Sequence, residues 1–193
     1  MTFSTESSGP VTDLVAAGRL WGARLTWTPP ATAETAEHYV VTRRYGVRAA
    51  DEMPQPEPTD AGVTRSRFDV TGLESGRNYT FAVFAVDAEG QVSGGEVTLL
   101  SGTHTRVRDT GIRADQSVTI RGRVVDRTGD GLPAMRVVVQ RAPTSDPSSF
   151  ATSAVVSGQA VADGTYRLTL KPRRDFVYRV VTPGGVGFGP SSS

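Results

Sequence analysis

The reading of this chain turns on residues 63–88, VTRSRFDVTGLESGRNYTFAVFAVDA. Two alternating runs, 63–70 and 79–86, flank a polar corner that contains Leu73 and Gly76. Side chains on a strand alternate between its two faces. Phe68, Val70 and Leu73 therefore point to one side, and Tyr79, Phe81, Val83 and Ala85 line one face of the next strand. Arg77 and Asn78 open that second run on its polar side. A tyrosine in this position can bury its ring while its hydroxyl bonds back to nearby backbone. The pattern predicts two strands joined by a polar corner.

The rest of the composition agrees with an all-β chain. The 193 residues suit one or two domains. Turn and strand formers dominate, with 21 Gly and 12 Pro, and no long amphipathic helical pattern stands among them. There is no cysteine, which excludes disulfides and thiolate metal sites. No run reaches the roughly 18 apolar residues that a membrane helix needs, so membrane insertion is not expected. The start, MTFSTESSGP, lacks the charged and apolar regions of a signal peptide. On this reading the chain either stays inside the cell or is a segment of a longer exported protein. Nearly all the cations are arginine, Lys171 being the one lysine, and this bias points to a GC-rich bacterial coding sequence. The net charge of +1 hides an asymmetry. Residues 1–103 hold 8 Arg against 13 Asp and Glu, and residues 116–193 hold 10 Lys and Arg against 5 Asp. Two solvated surfaces, domain docking or a polyanion partner for the second half would each account for it.

In the first half, residues 1–8 are Ser/Thr-rich and expected to be disordered. A strand starts at Pro10-Val11, and Trp21, Ala23, Leu25 and Trp27 alternate until Pro29-Pro30 stop the ladder. Residues 37–45 form the next strand, with Tyr39 and Val41 inward and His38 outward. Residues 51–60 are acidic and carry Pro54, Pro56 and Pro58, which favours an extended excursion over a ladder. Asp51, Glu52, Glu57 and Asp60 lack the dense spacing of a calcium loop. Residues 96–100 close the set. Leu73-Glu-Ser-Gly76-Arg-Asn-Tyr79, with Leu25-Thr-Trp27-Thr-Pro29-Pro30 before it, closely resembles a fibronectin type III domain over residues 9–104. The resemblance implies that Trp27 is the core tryptophan. Trp21 is expected at the core's end or exposed as a sugar-stacking platform.

Residues 105–115 read as a polar linker. From 116 to 193, alternation at 118–124, 135–139, 150–156, 165–170 and 176–181, with turns at 126–131 and 162–164, predicts a second sandwich. Its order of motifs, ending in Ala162-Asp-Gly164-Thr-Tyr166-Arg-Leu168 and Tyr178-Arg-Val180, looks like a bacterial Ig-like domain of the carboxypeptidase-regulatory or prealbumin-like kind. That family pattern ends with one more strand, and this domain is expected to have lost or borrowed it. The fold class expected is all-β, two tandem antiparallel sandwiches, without a fixed-period repeat.

Enzyme motifs are missing, with no HExxH, Gly-x-Ser-x-Gly or P-loop. No catalytic, cofactor-binding or metal-ligating residues are assigned. His38 and His104 lack ligand spacing and read as surface residues. Gly185, Gly187 and Gly189 precede Pro190 instead of a helix N-terminus, so they form no phosphate cradle. Asp126 and Asp130 flank glycines as a turn requires. Asn78-Tyr79-Thr80 fits a glycosylation sequon by chance. Lys171, Arg173, Arg174 and Arg179 form the densest basic cluster, either a solvated strand end or a site for phosphate or sulfate groups on a polymer. The two resemblances imply a non-catalytic spacer or adhesive module of a bacterial extracellular or cell-surface protein. A weak carbohydrate-binding module, or an intracellular or phage-tail structural protein, is the alternative. A protein or glycan partner fits, nucleic acid does not, and the isolated chain is expected to be monomeric.

Overall fold

A computed structural model describes residues 9–20, 22–31, 36–46, 60–93, 95–112, 116–151 and 154–193. Among these, every regular element is a strand. The first seven are β1 (Thr12–Arg19), β2 (Gly22–Thr28), β3 (His38–Tyr45), β4 (Asp60–Val63), β5 (Arg67–Thr71), β6 (Tyr79–Val86) and β7 (Glu96–Leu100). They form two antiparallel sheets, β1-β2-β5 and β4-β3-β6-β7. The side chains that alternate inward fill the space between the sheets: Leu25 and Trp27 from β2, Tyr39 and Val41 from β3, and Tyr79, Phe81, Val83 and Ala85 from β6. The expected inward sets of the 63–88 stretch are the observed ones. Val70 and Leu73 are buried, and Phe68 packs against the same core.

Seven more strands follow: β8 (Thr103–Ile112), β9 (Val118–Asp126), β10 (Arg136–Pro143), β11 (Val156–Gln159), β12 (Thr165–Leu170), β13 (Phe176–Thr182) and β14 (Ser191–Ser192). Their sheets are β12-β9-β8 and β11-β10-β13-β14. In chain order this wiring is that of the first seven strands, with the second between the first and fifth, the third between the fourth and sixth, and the seventh beside the sixth. Ile120, Val124, Val137, Val139, Leu168 and Val180 fill the second core. The repeat that sequence comparison of the halves does not reveal is a repeat of topology.

The corner repeats as well. The Tyr79 hydroxyl accepts a hydrogen bond from the Glu74 N–H at 2.8 Å, and the Tyr178 hydroxyl accepts one from the Arg173 N–H at 2.8 Å, each five residues upstream. Burial is the main cause that raises the Tyr79 pKa, opposed by the Glu74 amide. Tyr79→Phe and Tyr178→Phe should each cost about 0.5–1.5 kcal/mol in urea unfolding. The first is expected to cost more, because the Glu74 bond is partly buried and the Arg173 bond is exposed. The reverse order would mean that the exposed corner is the more important brace.

Three expectations differ from the structure. Residues 105–115 were expected as a linker, yet through Ile112 they form β8, paired with β9 from Thr103↔Asp126 to Ile112↔Val118 around a bulge between Val107 and Asp109. Polar residues suit this strand because it lies at a sheet edge. A strand expected at 150–156 is displaced to β11. Phe150 instead lies under the Arg179 guanidinium, 3.9 Å from carbon to ring centroid, after a turn in which Asp146 accepts bonds from the N–H and hydroxyl of Ser148. The last strand, expected to be lost or borrowed, is the short β14, with Val181↔Ser192 and Thr182↔Ser191 paired.

Tyr166 fixes β8 across the sheet. Gly122 takes an inward position on β9, where a Cβ would collide with the Tyr166 hydroxyl and the Arg106 carbonyl. The gap lets that hydroxyl donate to the Arg106 carbonyl at 3.1 Å. Burial pushes the Tyr166 pKa up to about 12. A raised folded pKa gives stability that is complete below the unfolded value of about 10 and is lost as pH rises through the folded one. Alkaline titration should therefore destabilise the protein between about pH 10 and 12. Tyr166→Phe should flatten that limb of the curve, and an unchanged limb would remove Tyr166 as its source.

Candidate functional site at the joint between the sandwiches

Only Ser101 and Gly102 separate β7 from β8, and both are held. The Gly102 N–H donates to Asn78 Oδ1 at 2.7 Å. A Cβ on Gly102 would strike the Gly76 backbone, and one on Gly76 would strike the His104 ring. Gly76 has φ +76, in the region that favours glycine, so the corner needs it for conformation as well as for space. The first sandwich's corner thus becomes a socket for the start of the second.

The second contact is a glycine-rich loop, residues 183–190, between β13 and β14. Gly18 N–H donates to the Gly185 carbonyl at 2.7 Å, and Gly187 N–H donates to the Ala16 carbonyl at 2.8 Å. Ser101 N–H donates to the Gly187 carbonyl, and Gly189 N–H to the Ser101 carbonyl, both at 2.8 Å. The Thr103 hydroxyl donates to the Gly189 carbonyl at 2.8 Å in a buried position. The loop therefore adds main chain to the side of β1 and to the connection itself. Phe188 anchors it from behind by packing against the second core. Farther along, Ser192 N–H reaches Ser75 Oγ at 3.2 Å. Thr105 donates to Thr182 Oγ1 at 2.8 Å and lies 2.6 Å from Ser191 Oγ, which ties β8 to β13 and β14 in a buried hydroxyl cluster.

The residues singled out from sequence distribute as follows. Trp27 is buried, and its ring meets Tyr39 edge-on at 5.1 Å. Trp21, Asp51, Glu52 and Glu57 lie outside the described residues, as do residues 1–8. His38 is half-buried on β3, and His104 lies on β8 against Gly76 instead of in a linker. No group of three or more His, Cys, Asp or Glu among the described residues could hold a metal ion. Asp126 Oδ1 accepts from the Thr128 hydroxyl and from the N–H groups of Thr128, Gly129 and Asp130, which lowers its pKa and accounts for the turn. Of the basic cluster, Arg179 turns onto Gln140 and Phe150, and the main-chain N–H of Arg173 donates to the Tyr178 hydroxyl. Asn78 and residues 185–189, set aside from sequence, build the joint. The available signal was three glycines at alternate positions, which leave main chain open to a neighbour on both sides.

Residues 9–98 match the family model of the fibronectin type III domain. No curated protein sequence matches the chain. Among solved structures, the chain is similar to a type III domain of human collagen XX at 21% identity, over 52% of this chain and 95% of that one, with a TM-score of 0.37. It is also similar to a segment of two type III domains from chicken tenascin at 16% identity, over 95% and 97% of the two chains, with a TM-score of 0.36. The central type III array of RIM-binding protein matches at 16% identity, over 98% of this chain and 68% of that one, with a TM-score of 0.37. Type III domains are generally non-catalytic modules. No helix among the described residues is long and apolar enough to cross a membrane.

Proposed function

We propose that the chain is a non-catalytic spacer and adhesive module of a bacterial extracellular or cell-surface protein, with a type III module followed by an Ig-like one. The observation that carries this reading is the joint. A two-residue connection, four main-chain hydrogen bonds from the 183–190 loop and the Asn78 bond to Gly102 leave no free hinge between the modules. Each module has its own core, and the pair presents outer sheet faces at a fixed mutual orientation. The wiring shared by β1–β7 and β8–β14 supports an Ig-like assignment of the second module, and the bacterial, exported setting rests on the sequence resemblance.

The test is nitrogen-15 relaxation of the whole chain together with surface labelling in the source cell. A rigid spacer gives both modules one rotational correlation time, and an exported one is reached by an impermeant amine-reactive ester or by added protease. Two separate correlation times would remove the spacer function. Labelling only after lysis would move the chain to the intracellular structural alternative.

A further inference from the structure

We propose that the outer face of the β12-β9-β8 sheet binds a linear anionic polysaccharide. On β9, Ile120, Gly122 and Val124 turn inward, which sends Arg121 and Arg123 outward. The register places Arg123 directly opposite Arg106 of β8, and Arg121 directly opposite Arg167 of β12. Like charges opposite one another on neighbouring strands destabilise a sheet.

The first sandwich supplies the internal comparison. Its equivalent strand pair, β2 with β5, sets Arg24 opposite Asp69, and the two form a bidentate ion pair with both contacts at 2.7 Å. The same pair of strands in the second sandwich carries two arginines. Neutralisation on this face is partial. Asp109 holds Arg121 at 2.7 Å, and Arg123 donates to the carbonyls of Asp163 and Gly129. Arg106, Arg108 and Arg167 are exposed and make no side-chain hydrogen bond or ion pair among the described residues. Arg167 stands within residues 116–193, which carry the excess positive charge, and Arg106 and Arg108 stand on the strand paired with β9 of that segment. Charge on a partner is what this face lacks.

The shape and chemistry select the kind of polyanion. A hollow of about 570 Å³ on this face is lined by Arg108, Asp109, Arg121, Gln159, Thr165 and Arg167. Guanidiniums there can pair with carboxylate or sulfate groups, while the Gln159 amide and Thr165 hydroxyl suit sugar hydroxyls. Its aromatic ring, Tyr166, is buried, so the face offers no platform on which bases could stack. This favours a sugar polymer over a single-stranded nucleic acid. The inference concerns a surface away from the joint and stands independently of the spacer reading.

The experiment is affinity electrophoresis of the full chain through gels containing polygalacturonate, dextran sulfate, neutral dextran or single-stranded DNA, over a salt series. Retardation by at least one anionic glycan, by neither neutral dextran nor DNA more strongly, and weakening with salt is expected. Polygalacturonate against dextran sulfate distinguishes carboxylate from sulfate recognition. The double variant Arg106→Ser/Arg167→Ser should weaken retardation by about tenfold or more, whereas Arg44→Ser/Arg65→Ser in the first sandwich should leave it unchanged. Arg167→Asp, which copies the Arg24–Asp69 arrangement, should raise the melting temperature while weakening binding. No retardation, equal weakening by both double variants, or stronger retardation by DNA would overturn the proposal.

Discussion

Trp27→Ala is expected to cost about 3–5 kcal/mol, the range for removing a large aromatic from a packed core. Trp27 is 5% exposed on β2, and its ring bridges the two sheets of the first sandwich by meeting Tyr39 of β3. Such a pair adds to the area it buries, because the edge of one ring meets the face of the other. A domain of this size has only about 5–15 kcal/mol of stability in total. The melting temperature of the first sandwich should fall by more than about 12 °C, given roughly 4–8 °C per kcal/mol for a domain of this length. Calorimetry would separate a weakened first transition from a retained second one. Trp27→Phe should recover part of the loss by keeping a ring against Tyr39. A loss below about 1 kcal/mol for alanine would show that the site collapses around the gap.

The second large effect is at the joint. Gly18→Val should release the modules from each other without unfolding either one. A Cβ at Gly18 would collide with the Phe188 carbonyl and come within 3.0 Å of the Gly184 Cα, both in the second module's loop. Inside the first module, the position is the extended partner of Ala23 on an edge strand, where valine is well suited. The clash is therefore confined to the contact. Loss of the four loop hydrogen bonds should remove roughly 2–6 kcal/mol of coupling, at about 0.5–1.5 kcal/mol for each bond. Relaxation should then report two correlation times, and small-angle scattering should report a broader distribution of dimensions. A variant that still tumbles as one body would show that the Asn78 socket and the Ser192–Ser75 contact hold the modules without the loop.

The residues differ in how much of this they disclosed. The corner was legible because Leu73, Gly76 and Tyr79 each have one dominant reason to occur at their spacing. Trp27 was legible as core through the type III resemblance of the Leu25-Thr-Trp27-Thr-Pro29-Pro30 stretch that carries it. β8 was not legible. Its strand carries Arg106, Arg108 and Asp109 at a sheet edge, where pairing on one side suffices and apolar alternation is weak. Nor was the joint, since its bonds are mostly between main-chain atoms, which every residue but proline offers alike. Glycine reveals such a contact only by what it leaves out. The second tyrosine corner was hidden by a different intervening sequence, Lys171 to Val177, around the same five-residue reach.

The 183–190 loop also sets where tension would travel. A pull applied at Ser193 first meets the two residue pairs of β14 against β13, then the loop that precedes it. From that loop, hydrogen bonds lead directly to Ala16, Gly18 and Ser101 of the first module. The same strands also lead into the second sandwich, through the Thr105 hydroxyl cluster on β8, the β10 ladder and Phe188. Load at this end is therefore divided between the second core and the joint, so the contact with the first module carries part of the tension before either core gives way.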